Sequence, residues 1–302
     1  MTAFRHIPPY TAGVLLLAAA CVLPQHDARA AESYDNCTGF IDSVPAVLTT
    51  QGTWCLRKDL GTAMASGSAI TVAANNITID CNDFKIGGLA AGEDSLAFGI
   101  STPVDLGEGT FVEKQNVVVR NCNIRGFGYG IGLLGSGHLV EDNRLDNNLE
   151  GGIFASGEDN NNMVRRNLVF DTGKASSHWV SGIQVDGSAI DNVVSGVVAR
   201  HYGWGIEMFG DGGNLARGNV VRGLVVANDD ADQYASAAGI RSGQGNRVSD
   251  NLVHGGAGVT AVRDAGISAG GAGNLAATCD GNSIRGFQTG LEDCLDAGGN
   301  IW

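Results

Sequence analysis

Residues 151–171 have the sequence GGIFASGEDNNNMVRRNLVFD and contain three short elements that recur along the chain. The first is a glycine followed by a branched aliphatic residue, Gly152-Ile153. The second is an apolar pair with a polar turn that ends in asparagine, NMVRRN at 162–167, and the third is a short apolar strand, LVFD at 168–171. Three strands in about 22 residues fit one turn of a β-helix, whereas a helical hairpin repeat would space its apolar residues by about 3.6.

The glycine-aliphatic pair occurs eight times, at intervals of 22 to 34 residues. Stacked copies of such a unit pair each strand with its counterpart about 4.8 Å away and fill a continuous core. We therefore predict an all-β fold, a parallel β-helix of about eight coils with three short parallel sheets. Its anchor glycines are Gly99, Gly130, Gly152, Gly182, Gly205, Gly239, Gly266 and Gly290.

The asparagine that ends each polar turn is interpreted as structural. Its amide can donate to and accept from its counterparts in neighbouring coils. We expect a ladder of Asn143, Asn167, Asn219 and Asn251, with an interruption at Val197.

The pattern resembles the right-handed β-helix repeat of the pectate-lyase-like superfamily over roughly residues 53–302, and SAITVAANNITIDCNDFKIGG at 68–88 is similar to the first coil of many exported members. The resemblance implies a right-handed helix with a polysaccharide along the outer face of the first strand of each coil. The chain lacks the paired-Asp and Gly-His-Gly motifs of polygalacturonases, the Asp-Pro-His-Asp motif of alginate epimerases and the Arg-x-Pro-x-x-Arg motif of pectate lyases. No family's catalytic residues can therefore be carried over.

The first thirty residues have the pattern of a secretory signal. Arg5 precedes the apolar run 12–20, and Ala28-Arg29-Ala30 supplies small residues for cleavage. Lipidation at Cys21 is the alternative. We predict a signal peptide at 1–30, an N-terminal cap and first strands at 31–67 and the right-handed parallel β-helix at 68–302, in a secreted or periplasmic protein.

The six cysteines that follow the signal are an even set, which in an exported chain favours disulfides over metal ligation. Cys81 and Cys122 lie in the equivalent polar turn of consecutive coils, where the spacing suits a bridge. Proximity in sequence suggests the pairs Cys37 with Cys55 and Cys279 with Cys294.

The charge excludes one class of partner. The net charge of -13 disfavours nucleic acid. No segment approaches the roughly 20 apolar residues of a membrane span. We expect a protein without a transmembrane segment, a monomer, whose partner is a polysaccharide or other glycan.

The residue after each inward aliphatic faces outward, because side chains alternate along a strand. This rule defines a column on the outer face of the first strands. The column consists of Ser101, Gly132, Phe154, Gln184, Glu207, Arg241, Ser268 and Glu292.

The polar centre of this column is the candidate site. Gln184, Asp186, Glu207 and Arg241 lie on three successive coils, one or two steps of about 4.8 Å apart. Carboxylates at that separation suit acid-base chemistry on a glycosidic bond or the binding of a cation, so calcium is the one candidate cofactor.

Two further residues are candidate bases. Arg241 could hold a uronate carboxylate while Lys174 or His178 removes a ring proton. The competing interpretation is that Glu207 and Arg241 form a solvated ion pair worth under about 1 kcal/mol.

Aromatic residues lie close to the same coils. Trp179, Tyr202, Trp204 and Tyr234 would form a platform for sugar rings if they share one groove, although each alone is more often a packing residue.

Two functions remain open. One is a polysaccharide lyase or glycoside hydrolase that uses the groove over residues 184–241. The alternative is a non-catalytic glycan-binding or cell-surface solenoid. A metal-delivery role would need a cluster of His, Met or Cys, and the sequence shows none.

Overall fold

The computed structural model describes residues 34–105, 110–159, 161–228, 231–256, 260–269 and 276–302. Residues 35–302 form one compact unit. The predicted signal peptide at 1–30 lies outside the described residues. Within them the structure is almost entirely β, with no α-helix and one short 3-10 helix at Leu89–Ala91.

The first sheet carries the glycine-aliphatic strands, and every neighbouring pair in it is parallel. Its described strands are Ala46–Leu48, Ser68–Val72, Phe98–Ser101, Tyr129–Ser136, Gly151–Ser156, Trp179–Val185, Tyr202–Met208, Ser236–Ser242, Arg263–Ala269 and Thr289–Glu292, with Lys114–Gln115 paired beside Tyr129–Ser136.

The second and third sheets complete each coil. The described strands of the second sheet are Gly39–Phe40, Gly52–Cys55, Ile77–Asp80, Val118–Arg120, Leu139–Glu141, Asn162–Arg165, Gly187–Ile190, Leu215–Arg217, Arg247–Ser249, Thr278–Asp280 and Leu295–Gly298. Those of the third are Leu60–Gly61, Lys85–Gly87, Asn123–Arg125, Arg144–Asp146, Leu168–Gly173, Val193–Ala199, Val220–Val226, Leu252–Gly255 and Ser283–Arg285. A small antiparallel pair, Val104–Asp105 with Thr110–Phe111, lies outside the stack.

The predicted parallel β-helix is confirmed. Each of the eight anchor glycines lies in or at the start of a strand of the first sheet, and Ala46–Leu48 and Ser68–Val72 extend this sheet at its N-terminal end. The glycines allow close approach of successive coils. A Cβ at Gly182, for example, would lie 2.7 Å from the carbonyl oxygen of Gly205.

The core is a stack of the aliphatic residues that follow these glycines. Ile131, Ile183 and Ile206 pair in register with their neighbours and are fully buried. Leu133 and Val185, two residues further along their strands, are also buried, as the period-2 pattern requires.

The asparagine ladder is continuous, and the predicted interruption at Val197 is wrong. Asn167 donates from Nδ2 to Asn192 Oδ1 at 3.1 Å, and Asn192 donates to Asn219 Oδ1 at 3.0 Å. Asn192 takes the ladder position because the preceding strand, Gly187–Ile190, follows its neighbour without a long turn. Val197 lies instead in the core.

The ladder extends beyond the predicted residues at its C-terminal end. Asn251 donates to Asn282 Oδ1 at 2.9 Å, and Asn282 donates to Asn300 Oδ1 at 2.8 Å. At the N-terminal end, the backbone N–H of Cys122 donates to Asn143 Oδ1. The ladder therefore joins most of the stack from this cysteine to the last coil.

All three predicted disulfides are present. Cys81 and Cys122 pair with a Cα separation of 4.7 Å, Cys37 pairs with Cys55, and Cys279 pairs with Cys294. Three disulfides are typical of a protein that folds in an oxidising compartment. Among the described residues, the structure contains no helix with the length and hydropathy of a membrane span.

Candidate functional site

The outer column of the first sheet has the predicted register. Phe154 pairs with Gln184, Gln184 with Glu207 and Glu207 with Arg241 on successive strands. The remaining members, from Ser101 to Glu292, pair in the same way. The polar residues at the centre are thus held side by side by the ladder of the parallel sheet.

Glu207 is the most unusual member of this column, because its carboxyl group is buried although it points away from the core. The residue is 1% exposed. Arg241 Nη1 donates to Glu207 Oε1 at 2.6 Å, and Ser181 Oγ donates to Oε2 at 3.4 Å. The Arg241 side chain is half exposed. Glu207 is therefore not one half of a fully solvated pair.

Burial controls the protonation of Glu207. Loss of solvation raises its pKa from 4.5 to about 7, because the charged form is disfavoured away from water. Arg241 opposes this rise, and the negative charge of Asp186 adds to it. Near neutral pH, the group can therefore both donate and accept a proton.

Asp186 directly follows the strand that carries Gln184, and residues of the preceding coil fix its carboxylate by hydrogen bonds. Ser156 Oγ and the backbone N–H of Gly157, at 3.0 Å, both donate to its Oδ2. Asp186 is largely buried and is not among the described residues that line the groove over the column, whereas Gln184 is.

The predicted aromatic residues share one groove. Trp179 packs edge-on against Tyr202 with ring centroids 5.6 Å apart, and Tyr202 lies 6.1 Å from Trp204. Trp179 and Tyr234 are 61% and 68% exposed, whereas Trp204 is 8% exposed and lies under the Arg241 guanidinium, 5.0 Å from it. The four residues therefore line one groove, and their role as a platform for sugar rings stays a prediction.

A second aromatic pair was missed by the sequence reasoning. Phe98 and Tyr129 stack with centroids 5.3 Å apart and an interplanar angle of 15°. They lie over glycines of the next coils: a Cβ at Gly132 would be 2.6 Å from the Phe98 ring, and one at Gly151 would be 2.5 Å from the Tyr129 ring. The signal was present, because Phe98, Tyr129 and Trp204 each immediately precede an anchor glycine.

These side chains line a groove of about 1070 Å³. It runs from strand Phe98–Ser101 to strand Thr289–Glu292, seven inter-strand steps or roughly 34 Å. Its principal described lining residues are Phe98, Tyr129, Glu150, Phe154, Trp179, Ser181, Gln184, Tyr202, Trp204, Glu207, Phe209, Gln233, Tyr234, Arg241, Val262, Arg263, Ser268, Glu292 and Asp293. We refer to it below as the aromatic groove.

The two candidate bases contact residues outside the groove lining, although the His178 ring also packs edge-on against Tyr202 with centroids 5.3 Å apart. Lys174 Nζ donates to the carbonyl oxygen of Glu93 at 2.5 Å and to Asp94 Oδ1 at 3.0 Å. His178 and His201 approach each other through their Nδ1 atoms at 2.6 Å. Neither Lys174 nor His178 belongs to the described lining of the aromatic groove.

The described residues contain no group of three or more His, Cys, Asp or Glu side chains arranged to hold a metal ion. We therefore assign no ligands to the calcium ion that the carboxylates of the column suggested.

Comparison with protein families agrees with the geometry of the stack. The family described as right-handed beta helix region matches residues 57–221 and 108–289, which together cover most of the chain. The chain belongs to this right-handed β-helix family. A comparison with curated proteins finds no significant match.

The chain is similar to three solved structures at low sequence identity. The Dettilon tailspike protein is 16% identical with a TM-score of 0.42; the match covers 81% of this chain but only 53% of the tailspike chain. The A-module of mannuronan C-5 epimerase AlgE4 from Azotobacter vinelandii is 10% identical, with a TM-score of 0.45 and coverage of 88% and 89%. The AlgE6 A-module from the same organism is 14% identical, with a TM-score of 0.31 and coverage of 88% and 90%.

Proposed function

We propose that this chain binds an extracellular polysaccharide in the aromatic groove and hydrolyses it, with Glu207 as the general acid. The observation that carries the proposal is a buried carboxyl group, with a pKa raised to about 7, placed beneath a groove lined by aromatic rings. A carboxylic acid that remains protonated near neutral pH is what protonation of a glycosidic oxygen requires.

Binding rests on the aromatic rings. Tyr and Trp present large apolar faces together with a polar edge, which suits the apolar faces and hydroxyl edges of sugar rings. Exposed rings at Trp179 and Tyr234, together with Tyr202, would hold successive sugars. Gln184 supplies both a donor and an acceptor for hydroxyl groups. The groove therefore combines an apolar lining with a few convergent polar groups, as ligand sites generally do.

The proposed reaction is acid-base hydrolysis. Glu207 donates its proton to the glycosidic oxygen as the bond from this oxygen to the anomeric carbon breaks. The Arg241 guanidinium, 2.6 Å from Oε1, stabilises the carboxylate that results. Water adds to the anomeric carbon, and the proton that it loses passes through a second water molecule to Asp186, which lies just outside the groove lining. The hydrogen bonds that fix Asp186 end on Oδ2, so its Oδ1 is the atom we assign to this role.

Hydrolysis is favoured over elimination by the positions of the bases. Elimination from a uronate needs a base beside the ring proton. Lys174 and His178 instead contact Asp94 and His201. Glu207 is therefore the central residue of the proposal.

The test is a panel of polysaccharides incubated with the purified protein, with release of reducing ends as the readout for hydrolysis and ultraviolet absorbance as the readout for unsaturated uronates. We expect reducing ends without unsaturated products, and loss of most activity in Glu207→Gln. The matched control is Glu141→Gln, which alters a glutamate paired with Arg165 at 2.7 Å on the second sheet. Full activity in Glu207→Gln would contradict the assignment.

The second candidate function is glycan binding without turnover. It is favoured by Asp186, which is fixed by hydrogen bonds from Ser156 and Gly157 and is absent from the described lining of the groove. In that case, no product would form from any polysaccharide that binds, and Glu207→Gln would bind glycan as the unaltered protein does. Binding isotherms measured beside the product assays separate the two functions.

A further inference from the structure

The charges that line the aromatic groove have an excess of one sign. Glu150, Glu207, Glu292 and Asp293 are among its described lining residues, whereas the cationic lining residues are Arg241 and Arg263. The Arg263 residue is exposed and begins strand Arg263–Ala269. The described lining of the groove therefore holds four carboxyl groups and two guanidinium groups.

The cation at the centre of the groove already has partners. Arg241 donates to Glu207 Oε1 at 2.6 Å and lies over the Trp204 ring. The Arg241 side chain is half exposed and a guanidinium has five N–H donors, so it can contact a ligand without leaving Glu207. Its positive charge is nevertheless offset wherever Glu207 is ionised. Arg241 is consequently a weaker anchor for an anionic sugar than an unpaired arginine would be.

The other polar groups of the groove suit hydroxyl groups. Burial, reinforced by the charge of Glu150, raises the pKa of Tyr129 to about 12, so its hydroxyl remains a donor at any physiological pH. Carboxylates such as Glu150 and Glu292 only accept hydrogen bonds. Sugar hydroxyls donate to such acceptors, whereas uronate carboxylates cannot and would be repelled.

The charge of the whole chain has the same sign. The net charge of -13 creates a field that lowers the local concentration of polyanions near the protein. Neutral polymers are unaffected by this field. The local and global charges thus select against the same class of ligand.

We propose that the ligand of the aromatic groove is a neutral glycan, a polymer of uncharged sugars, and that polyuronates are excluded. This inference rests on the proposed function, since it concerns the same groove. The charge of the groove distinguishes neutral sugars from uronates. The aromatic rings supply affinity for any sugar, and the carboxyl groups supply the selection.

The experiment measures binding of matched-length oligosaccharides by calorimetry. The neutral probes are hexamers of glucose, mannose, galactose and rhamnose, and the acidic probes are hexagalacturonate and hexamannuronate, each at low and high salt. We expect at least one neutral hexamer to bind at least about tenfold more tightly than either uronate, with little dependence on salt. Tighter binding of a uronate would overturn this inference and leave the proposed function standing. Absence of binding by every probe would overturn both.

Two variants of the groove test whether its carboxyl groups select against uronates. Glu150→Gln and Glu292→Gln remove negative charge from the groove, so each should narrow the ratio of neutral to uronate affinity, with the larger change at low salt. Glu141→Gln removes one charge from the second sheet and should leave this ratio unchanged. Equal ratios in all three variants would show that the groove carboxyl groups do not select the ligand.

Discussion

The pKa of Glu207 predicts a measurable dependence of stability on pH. In the unfolded chain this carboxyl group has its ordinary pKa, whereas in the folded protein burial raises the pKa from 4.5 to about 7. Between these values, the folded state binds the proton more tightly than the unfolded state does. Stability due to Glu207 is therefore fully present below pH 4.5 and is lost as the pH rises through 7.

The magnitude follows from the two pKa values. A rise from 4.5 to about 7 corresponds to about 3 kcal/mol, at 1.36 kcal/mol for each pH unit. Glu207→Gln replaces the carboxyl group by an amide of similar shape that does not titrate. The unfolding free energy of the variant, taken relative to that of the unaltered protein, should thus rise by about 3 kcal/mol between pH 4.5 and 7. At roughly 2 °C per kcal/mol, this is a relative change of about 6 °C in Tm.

A buried histidine also makes the unfolding free energy depend on pH, so the effect of Glu207 must be measured as the difference between the variant and the unaltered protein. Burial lowers the pKa of His138 to about 4, so the unfolded state takes up a proton first as the pH falls below 6.5. Stability due to His138 consequently rises with pH between about 4 and 6.5, opposite in sign to the effect of Glu207. The two effects nearly cancel over much of this range in the unaltered protein. Subtracting its curve from that of Glu207→Gln leaves the Glu207 contribution.

The assay is urea unfolding followed by tryptophan fluorescence, at half-unit steps of pH from about 4 to 8. The difference in unfolding free energy should be flat below pH 4.5, change by about 3 kcal/mol up to pH 7 and flatten again. His138→Gln supplies the complementary curve with the opposite slope. A flat difference for Glu207→Gln across this range would refute the burial argument, and with it the assignment of Glu207 as a general acid.

Three further predictions concern the stack and its turns. Asn192→Ala leaves buried ladder partners without a hydrogen bond and should lower the unfolding free energy by about 1–3 kcal/mol. The control, Asn161→Ala at an exposed position, should change the unfolding free energy by less than about 0.5 kcal/mol. Equal urea midpoints for the two variants would contradict a stabilising role of the ladder. Replacing Cys81 and Cys122 together by Ala opens a crosslink across 41 residues and should cost about 4 kcal/mol, read from urea curves of the double variant. Lys174→Ala should leave hydrolysis unchanged, because its ammonium group contacts an exposed carboxylate away from the groove; a large loss of turnover would return it to the site.

Much of the fold could be predicted because the repeat is local. The glycine-aliphatic pair marks where each first strand lies, and period-2 alternation then assigns the inward side of Ile183 and the outward side of Glu207. The pairing of Cys81 with Cys122 follows from equivalent turns in consecutive coils. Each of these inferences needs only the spacing within a coil and its repetition in the next.

The ladder shows where this reasoning fails. The spacing from the anchor glycine does not predict Asn192, because its coil has a short turn before the second strand and the asparagine lies closer to the glycine than in the two neighbouring coils. Turn length varies freely between coils because turns lie outside the core. Only the paired register of the second sheet identifies which asparagine faces Asn167.

The sequence by itself determined the coil and the column that contains Gln184, Glu207 and Arg241, since both repeat with the chain. It also determined the three disulfides, one from equivalent turns in consecutive coils and two from proximity in sequence. The tertiary structure alone decided which neighbours cover that column. The burial of Glu207 depends on side chains from strands that lie more than twenty residues apart, and Lys174 is drawn to Asp94, eighty residues earlier in the chain. Such contacts depend on how side chains of different coils pack against one another, and the periodicity of the sequence does not predict this packing.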